Sequence, residues 1–581
     1  MSGLRSERWF GGHELSGFIH RTALHAEGIA RASLAGRPVV GICNPWSELV
    51  TCNLHFRGLA EAVKRGVALA GGLPLEFPTI SLGENLMKPT TMLYRNLMAM
   101  DVEECIRAYP LDAVVLLGGC DKTVPAALMG AASADVPAIM ITGGPSPPAV
   151  FRGRELGAGT DLWHYVDELR AGRMSREEFD ELEAAATGGF GHCNEMGTAS
   201  TMTSIVEALG MCLPGTASIP ALDPARSRAA EATGTRAVEI ACERLRPSRI
   251  LTAEAFDNAI TVLMSIGGGT NAVIHLLALA GRVGVPLTLA RFDELSRVTP
   301  LIANIRPSGE HLVHQLHRAG GINAVLHELA PLLHGEALTV TGRTLAEETA
   351  AAASAPDRDV IRPLDDPLAP EGGIAVLRGS LAPAGAIIKR SAASPGLLAH
   401  RGPAVVFEDI HELAAGIDDP ARWITADSVL VLRNAGPKGG PGMPEWGSLP
   451  IPKRLLEQGV RDLVRISDAR MSGTAFGTVV LHVAPESAAG GPLRAVRDGD
   501  LIVLDVESRR LDLDVPAGEI ARRLELLGPP EPAYRRGYGA MYLAHVLGAD
   551  QGCDFDFLRA RPGEPAESEP LGLLSGWIGG W

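Results

Sequence analysis

Leu111-Asp-Ala-Val-Val-Leu-Leu117 runs straight into Gly118-Gly-Cys-Asp-Lys-Thr123, and that junction decides the fold. The first segment is short and apolar, and glycines stop it, so it predicts a strand buried on both faces. Open α/β sheets place their sites at the carboxyl ends of such strands, where Cys120 would stand. Pro38-Val-Val-Gly-Ile-Cys43 and Pro137-Ala-Ile-Met-Ile-Thr142 repeat the pattern, while residues 56–70 and 91–108 carry apolar side chains at helical spacing. This alternation predicts an α/β fold with parallel sheets covered by helices. Residues 255–283 read as helical, broken by Gly267-Gly-Gly-Thr-Asn271.

The pattern changes near residues 350–375, where Pro363-Leu-Asp-Asp-Pro-Leu-Ala-Pro370 reads as a linker. Beyond it, residues 373–377, 404–407, 428–432, 478–482 and 501–505 are strand-like, with few long helices between them. The expected organisation is an N-terminal α/β domain over 1–355, a linker over 356–372 and a C-terminal β-barrel-like domain over 373–581.

Composition narrows the function. A formal charge of −15 over 581 residues argues against nucleic acid or an anionic membrane as partner. No apolar run approaches a membrane span, and Met1-Ser-Gly-Leu-Arg-Ser-Glu-Arg8 lacks the apolar core of a signal peptide. Eight cysteines in so long a chain are no disulfide framework, so a cytoplasmic enzyme is expected.

Three of those cysteines lie in polar, glycine-rich surroundings: Cys52 in Thr51-Cys-Asn-Leu-His55, Cys120, and Cys193 in Gly191-His-Cys-Asn-Glu-Met196. Buried structural cysteines usually sit inside apolar runs. Three soft donors without a fourth suit a metal cluster with one iron left open to substrate. Their spacing matches no Cys-x-x-Cys motif and, taken alone, is equally compatible with scattered reduced thiols. Glu84, Asp121 and Glu445 are carboxylates in Gly/Pro-bounded loops, of the type that ligates Mg²⁺. Each alone also reads as a solvated loop acid, Asp121 excepted, since it adjoins Cys120. Lys122 reads as a counter-charge, a partner for an anionic substrate, or a helix-start lysine. Gly436-Pro-Lys-Gly-Gly-Pro-Gly442 and the 267–271 loop offer backbone N–H groups to an anion without matching a nucleotide motif. Ser472, in Ser467-Asp-Ala-Arg-Met-Ser-Gly-Thr474, reads as an exposed base or nucleophile, or as a turn serine.

Taken together, Cys52-Asn-Leu-His55, Ser81-Leu-Gly-Glu-Asn85, Gly118 to Thr123, Cys193-Asn-Glu-Met-Gly-Thr198, Gly268-Gly-Thr-Asn271, Pro441-Gly-Met-Pro-Glu445, Ser467 to Thr474 and Gly552-Cys-Asp-Phe-Asp-Phe557 resemble the dihydroxy-acid/phosphogluconate dehydratase family nearly end to end. The resemblance implies an iron–sulfur cluster on Cys52, Cys120 and Cys193, with [2Fe–2S] preferred and [4Fe–4S] the alternative. It implies Mg²⁺ on Glu84, Asp121 and Glu445, with Lys122 a ligand when carbamylated. Ser472 corresponds to the catalytic base, and Thr474 to the substrate pocket. It also implies a homodimer or homotetramer. The Asp-Ala-Arg-Met-Ser-Gly-Thr segment looks like the sugar-acid branch. Thr51, where many relatives have proline, and Gly269-Thr270, which lacks a common serine, depart from the pattern without removing a ligand.

The implied reaction is loss of water from a small hydroxy acid. An aldonate, pentonate or hexonate, becomes a 2-keto-3-deoxy acid by loss of the C2 proton and the C3 hydroxyl. The first needs a base, and the second needs a Lewis acid. Dihydroxy-acid dehydratase of branched-chain amino-acid synthesis is the same-fold alternative. An iron–sulfur electron carrier is the alternative of another class; it would normally ligate its cluster fully.

Overall fold

The computed structural model describes residues 3–12, 15–34, 36–350, 356–528 and 531–560. Its first sheet has four strands: β1 (Val39–Asn44), β2 (Leu73–Pro78), β3 (Ala113–Gly118) and β4 (Ala138–Thr142). All are parallel, in the order β2-β1-β3-β4. β1, β3 and β4 are buried along their whole length, as their unbroken apolar runs require. Helices Phe56–Leu69, Thr123–Ala134 and Pro224–Glu243 cover this sheet, and Arg95–Ala108 packs on Thr123–Ala134. β2 contains two prolines, and as an edge strand it tolerates them.

After β4 comes a hairpin, β5 (Ala149–Phe151) and β6 (Arg154–Leu156), then helices Thr160–Arg170 and Arg176–Ala185. Phe151, Leu156, Met174 and Leu182 give this unit a small core of its own. The parallel sheets expected in the first two thirds reduce to one. Beyond residue 197 this part is helical, and helices Thr198–Ala208 and Asn271–Arg282 are buried at every residue. The proline-rich segment lies against the first core, where Val360 and Ile361 are buried and Ala369 bridges to Leu301.

The second sheet has eight strands: β7 (Ala375–Leu377), β8 (Gly385–Ile388), β9 (Ala399–Phe407), β10 (Val429–Leu432), β11 (Val464–Ser467), β12 (Val479–Ala484), β13 (Leu501–Asp505) and β14 (Arg510–Leu513). Their order is β14-β13-β9-β10-β11-β12-β8-β7. The middle four are parallel, and the flanking pairs are antiparallel. Arg378 N–H donates to the Arg509 carbonyl and Leu511 N–H to the Arg378 carbonyl, both at 2.9 Å, which draws β7 and β14 together. The result is the α/β molecule expected, with a nearly closed barrel-like second sheet. The chain then returns to the first part. There Asp554 accepts from the buried Arg282 guanidinium at 2.6 and 3.0 Å. Among the described residues no helix is long and apolar enough to cross a membrane.

Candidate active site

The functional loops leave the carboxyl ends of parallel strands in both sheets, where backbone groups are free to meet a ligand. Cys52 follows β1, Cys120 follows β3, Glu445 follows β10 and Ser472 follows β11. Gly119 lets the first two loops touch, because a Cβ there would lie 2.7 Å from the Cys52 carbonyl oxygen. Cys120 Sγ donates to Asp121 Oδ1 at 3.5 Å. The neighbouring Cys52 thiol, then burial, pushes the Cys120 thiol well above its usual pKa. Cys193 is an exposed residue whose sulfur is closely surrounded by protein. Desolvation there, then nearby Cys52, Glu195, Asp121 and Glu445, raises its thiol as well. Crowded soft donors that repel one another's ionisation are a donor set that a cationic iron centre would relieve. The other cysteines lie elsewhere: Cys43 is buried in β1, and Cys553 touches Met443 Sδ at 3.3 Å.

The three sequence-predicted carboxylates converge on one ammonium. Lys122 is fully buried, with Nζ 3.3 Å from Glu84, 3.4 Å from Glu445 and in contact with Asp121. Burial and Arg470 favour the neutral amine, but the carboxylates outweigh them and hold Lys122 above its ordinary pKa. Burial would raise Glu84 as well, yet Lys122, Arg470, Thr91 and Thr90 hold it at about 2. Glu445 is pushed up by burial against the same two cations. Arg470, equally buried, donates to Glu445 Oε1 at 3.0 Å and to Thr90 Oγ1 at 3.1 Å. Among the described residues no three His, Cys, Asp or Glu side chains are arranged to hold a metal ion as they stand. The ammonium occupies the centre that the carboxylates surround. Carboxylates are hard-cation donors, and here the Lys122 ammonium supplies the positive charge they surround.

Ser472 sits beside this nest and is partly accessible. Gly473 permits the approach, since a Cβ there would lie 2.7 Å from Thr198 N at the start of helix Thr198–Ala208. The Ser472 and Thr474 hydroxyls hydrogen-bond at 2.8 Å. Thr160 Oγ1 donates to the Thr474 carbonyl at 2.9 Å. Asn271 joins serine loop to nest: its amide nitrogen lies 2.9 Å from Thr198 Oγ1 and 3.2 Å from both Glu445 Oε1 and the Met471 carbonyl. Helices Thr123–Ala134, Thr198–Ala208 and Asn271–Arg282 all begin here, and their positive ends suit an anionic substrate.

Sequence reasoning missed the parts of Arg470, Asn271 and Thr90, since only the fold brings them to Glu445 and Glu84. The anion expected on the 436–442 loop is internal. Lys438 and Gly439 N–H groups donate to Glu486 at 2.9 and 3.0 Å. In the 267–271 loop, Gly269 N–H donates to Thr201 Oγ1 at 2.9 Å.

Residues 37–348 match the N-terminal domain, and 359–553 the C-terminal domain, of the dihydroxy-acid/6-phosphogluconate dehydratases. L-arabonate dehydratase of Azospirillum brasilense is 52% identical over 564 residues, 96% of this chain and 97% of its own length. The 6-deoxy-6-sulfo-D-gluconate dehydratase of Pseudomonas putida is 50% identical over 571 residues, 98% of each chain. Dihydroxy-acid dehydratase of Moorella thermoacetica is 42% identical over 541 residues, 92% of this chain and 97% of its own length.

Proposed function

Because the chain belongs to the dihydroxy-acid/6-phosphogluconate dehydratase family, and is a hydro-lyase, we propose that it dehydrates an aldonic acid, a pentonate or hexonate, to the 2-keto-3-deoxy acid. The observation that carries this reading is the Ser472–Thr474 hydroxyl pair, joined through Asn271 to the Glu84–Asp121–Lys122–Glu445 nest. The higher identity to the two sugar-acid dehydratases than to the dihydroxy-acid dehydratase favours an aldonate.

In this reading Ser472 Oγ takes the C2 proton. An ordinary serine hydroxyl is a poor base, and positive charge beside it makes it a better one. Thr474, 2.8 Å from Ser472 Oγ, orients that oxygen and contacts the substrate. The helix N-termini and Arg470 set a positive field for the substrate carboxylate. Proton removal at C2 and departure of the C3 hydroxyl leave an enol, which tautomerises to the keto acid. Cys52, Cys120 and Cys193 would hold an iron–sulfur cluster, preferably [2Fe–2S]. Glu84, Asp121 and Glu445 would hold Mg²⁺, joined by Lys122 if carbamylation turns its ammonium into a carboxylate. Both groups supply Lewis acidity for a hydroxyl leaving group and a developing enolate. The same reading carries a cytoplasmic homodimer or homotetramer.

The test is 2-keto acid formation from a panel of pentonates and hexonates beside 2,3-dihydroxyisovalerate. Turnover of an aldonate well above the branched substrate is expected. Preference for 2,3-dihydroxyisovalerate would transfer the chain to the branched-chain activity.

A further inference from the structure

Lys389, directly after β8, is 1% exposed, and no ion pair holds it among the described residues. Its one hydrogen-bond acceptor there is the Gly473 carbonyl, 3.5 Å from Nζ. Gly473 follows Ser472 directly, and the next carbonyl, that of Thr474, accepts from Thr160. The two peptide carbonyls after the serine are therefore each held by a donor from another element: Lys389 from the barrel, Thr160 from the hairpin-and-helix unit. Glu195 completes the arrangement by accepting from Gly159 N at 2.9 Å and Thr160 N at 2.8 Å.

A buried amine with one long hydrogen bond is costly to keep, and methionine would fill nearly the same volume without that cost. Packing therefore does not account for a lysine here. Burial lowers its pKa to about 7, with the Glu195 carboxyl opposing.

We propose that Lys389 is a positioning residue for the dehydration: through the Gly473 carbonyl it fixes the Ser472–Thr474 turn. This rests on Ser472 being the base. The amine donates to Gly473 whether or not it is protonated, so the hold on the turn persists across neutral pH.

Lys389→Met tests it in the purified holoenzyme. Iron content and visible absorbance should match wild type, the thermal midpoint should be no lower, and KM should stay within about threefold. The turnover number should fall about 10²-fold, as expected when a reacting group is misplaced. Added to Ser472→Ala, Lys389→Met should slow the residual rate no further. Normal turnover in Lys389→Met beside an inactive Ser472→Ala would sink the inference alone. A loss of turnover that tracks a lower thermal midpoint, or one that persists in the double variant, would overturn it as well. Turnover retained in Ser472→Ala would remove the base reading first, and this proposal with it.

Discussion

The two sheets reach the same site by different constructions. The first is open, entirely parallel and covered by helices, and it presents Cys52 and Cys120 from neighbouring strands β1 and β3. The second is parallel only at its centre, and it presents Glu445 and Ser472 from neighbouring strands β10 and β11. Its antiparallel flanks bend it nearly closed and contribute only Lys389, directly after β8, to the proposed site. The lesson is that parallel strand ends carry the proposed reacting groups, while the flanks supply closure and one supporting side chain. The proposed chemistry is divided as well, with soft donors from the first part and the base from the second.

Substitution of the cysteines should break this division most severely. Cys52→Ser, Cys120→Ser and Cys193→Ser should each lose the visible absorbance and bound iron of the purified protein, and all activity with them. Cys43→Ser and Cys553→Ser, buried away from the thiol pair, should keep both. Normal iron in all three site variants would remove the ligand assignment.

Ser472→Ala tests the second sheet's share. Loss of a general base costs about 10²–10⁴-fold in rate, and here iron content and substrate affinity should survive. With a C2-deuterated aldonate, exchange of the label into solvent should fall in parallel. Unchanged exchange with the iron intact would exclude the serine.

A smaller effect is expected where the two parts meet. Glu84→Gln, Asp121→Asn and Glu445→Gln replace a carboxylate by a weaker amide donor. Each should raise the Mg²⁺ needed for half-maximal activity by at least about tenfold. Wild-type Mg²⁺ dependence in all three would mean that the hard-cation site lies elsewhere.

Much of this was legible beforehand. The run from Leu111 to Leu117 declares a buried strand by composition, so Cys120 could be placed from local sequence alone. β2 could not, because Leu73-Pro-Leu-Glu-Phe-Pro78 is permitted only by its edge position, which is a property of the whole sheet. The convergence of Glu84, Asp121 and Glu445 on Lys122 spans 361 positions at its widest, from 84 to 445, and no local pattern encodes such a meeting. Lys389 carries no motif at all. Only its burial and its reach to Gly473 mark it.

The finest comparison sets one buried carboxyl from each part side by side. Glu207 accepts from Gly215 and Ala217 N–H at 2.8 and 2.9 Å, and Glu486 from Lys438 and Gly439. In both, burial outweighs these bonds and raises the pKa from 4.5 to about 7. A raised acid binds more protons folded than unfolded, so stability falls as pH climbs from about 4.5 through about 7. His55, His192 and His482, whose burial lowers their pKa, act in the opposite sense, as does Lys389 above about pH 7, and wild type and both variants share all of these groups. Between pH 6.5 and 8 each glutamate should remove about 1 kcal/mol of stability. Urea midpoints of wild type, Glu207→Gln and Glu486→Gln at the two pH values measure this. The quantity of interest is the pH-dependent change, since the amide also alters the loop hydrogen bonds at both values. Each variant should lose about 1 kcal/mol of the wild-type fall. If the fall is as large in both variants as in wild type, these two carboxyls are ionised in the native protein at pH 6.5, and the bound N–H groups, not burial, set their charge.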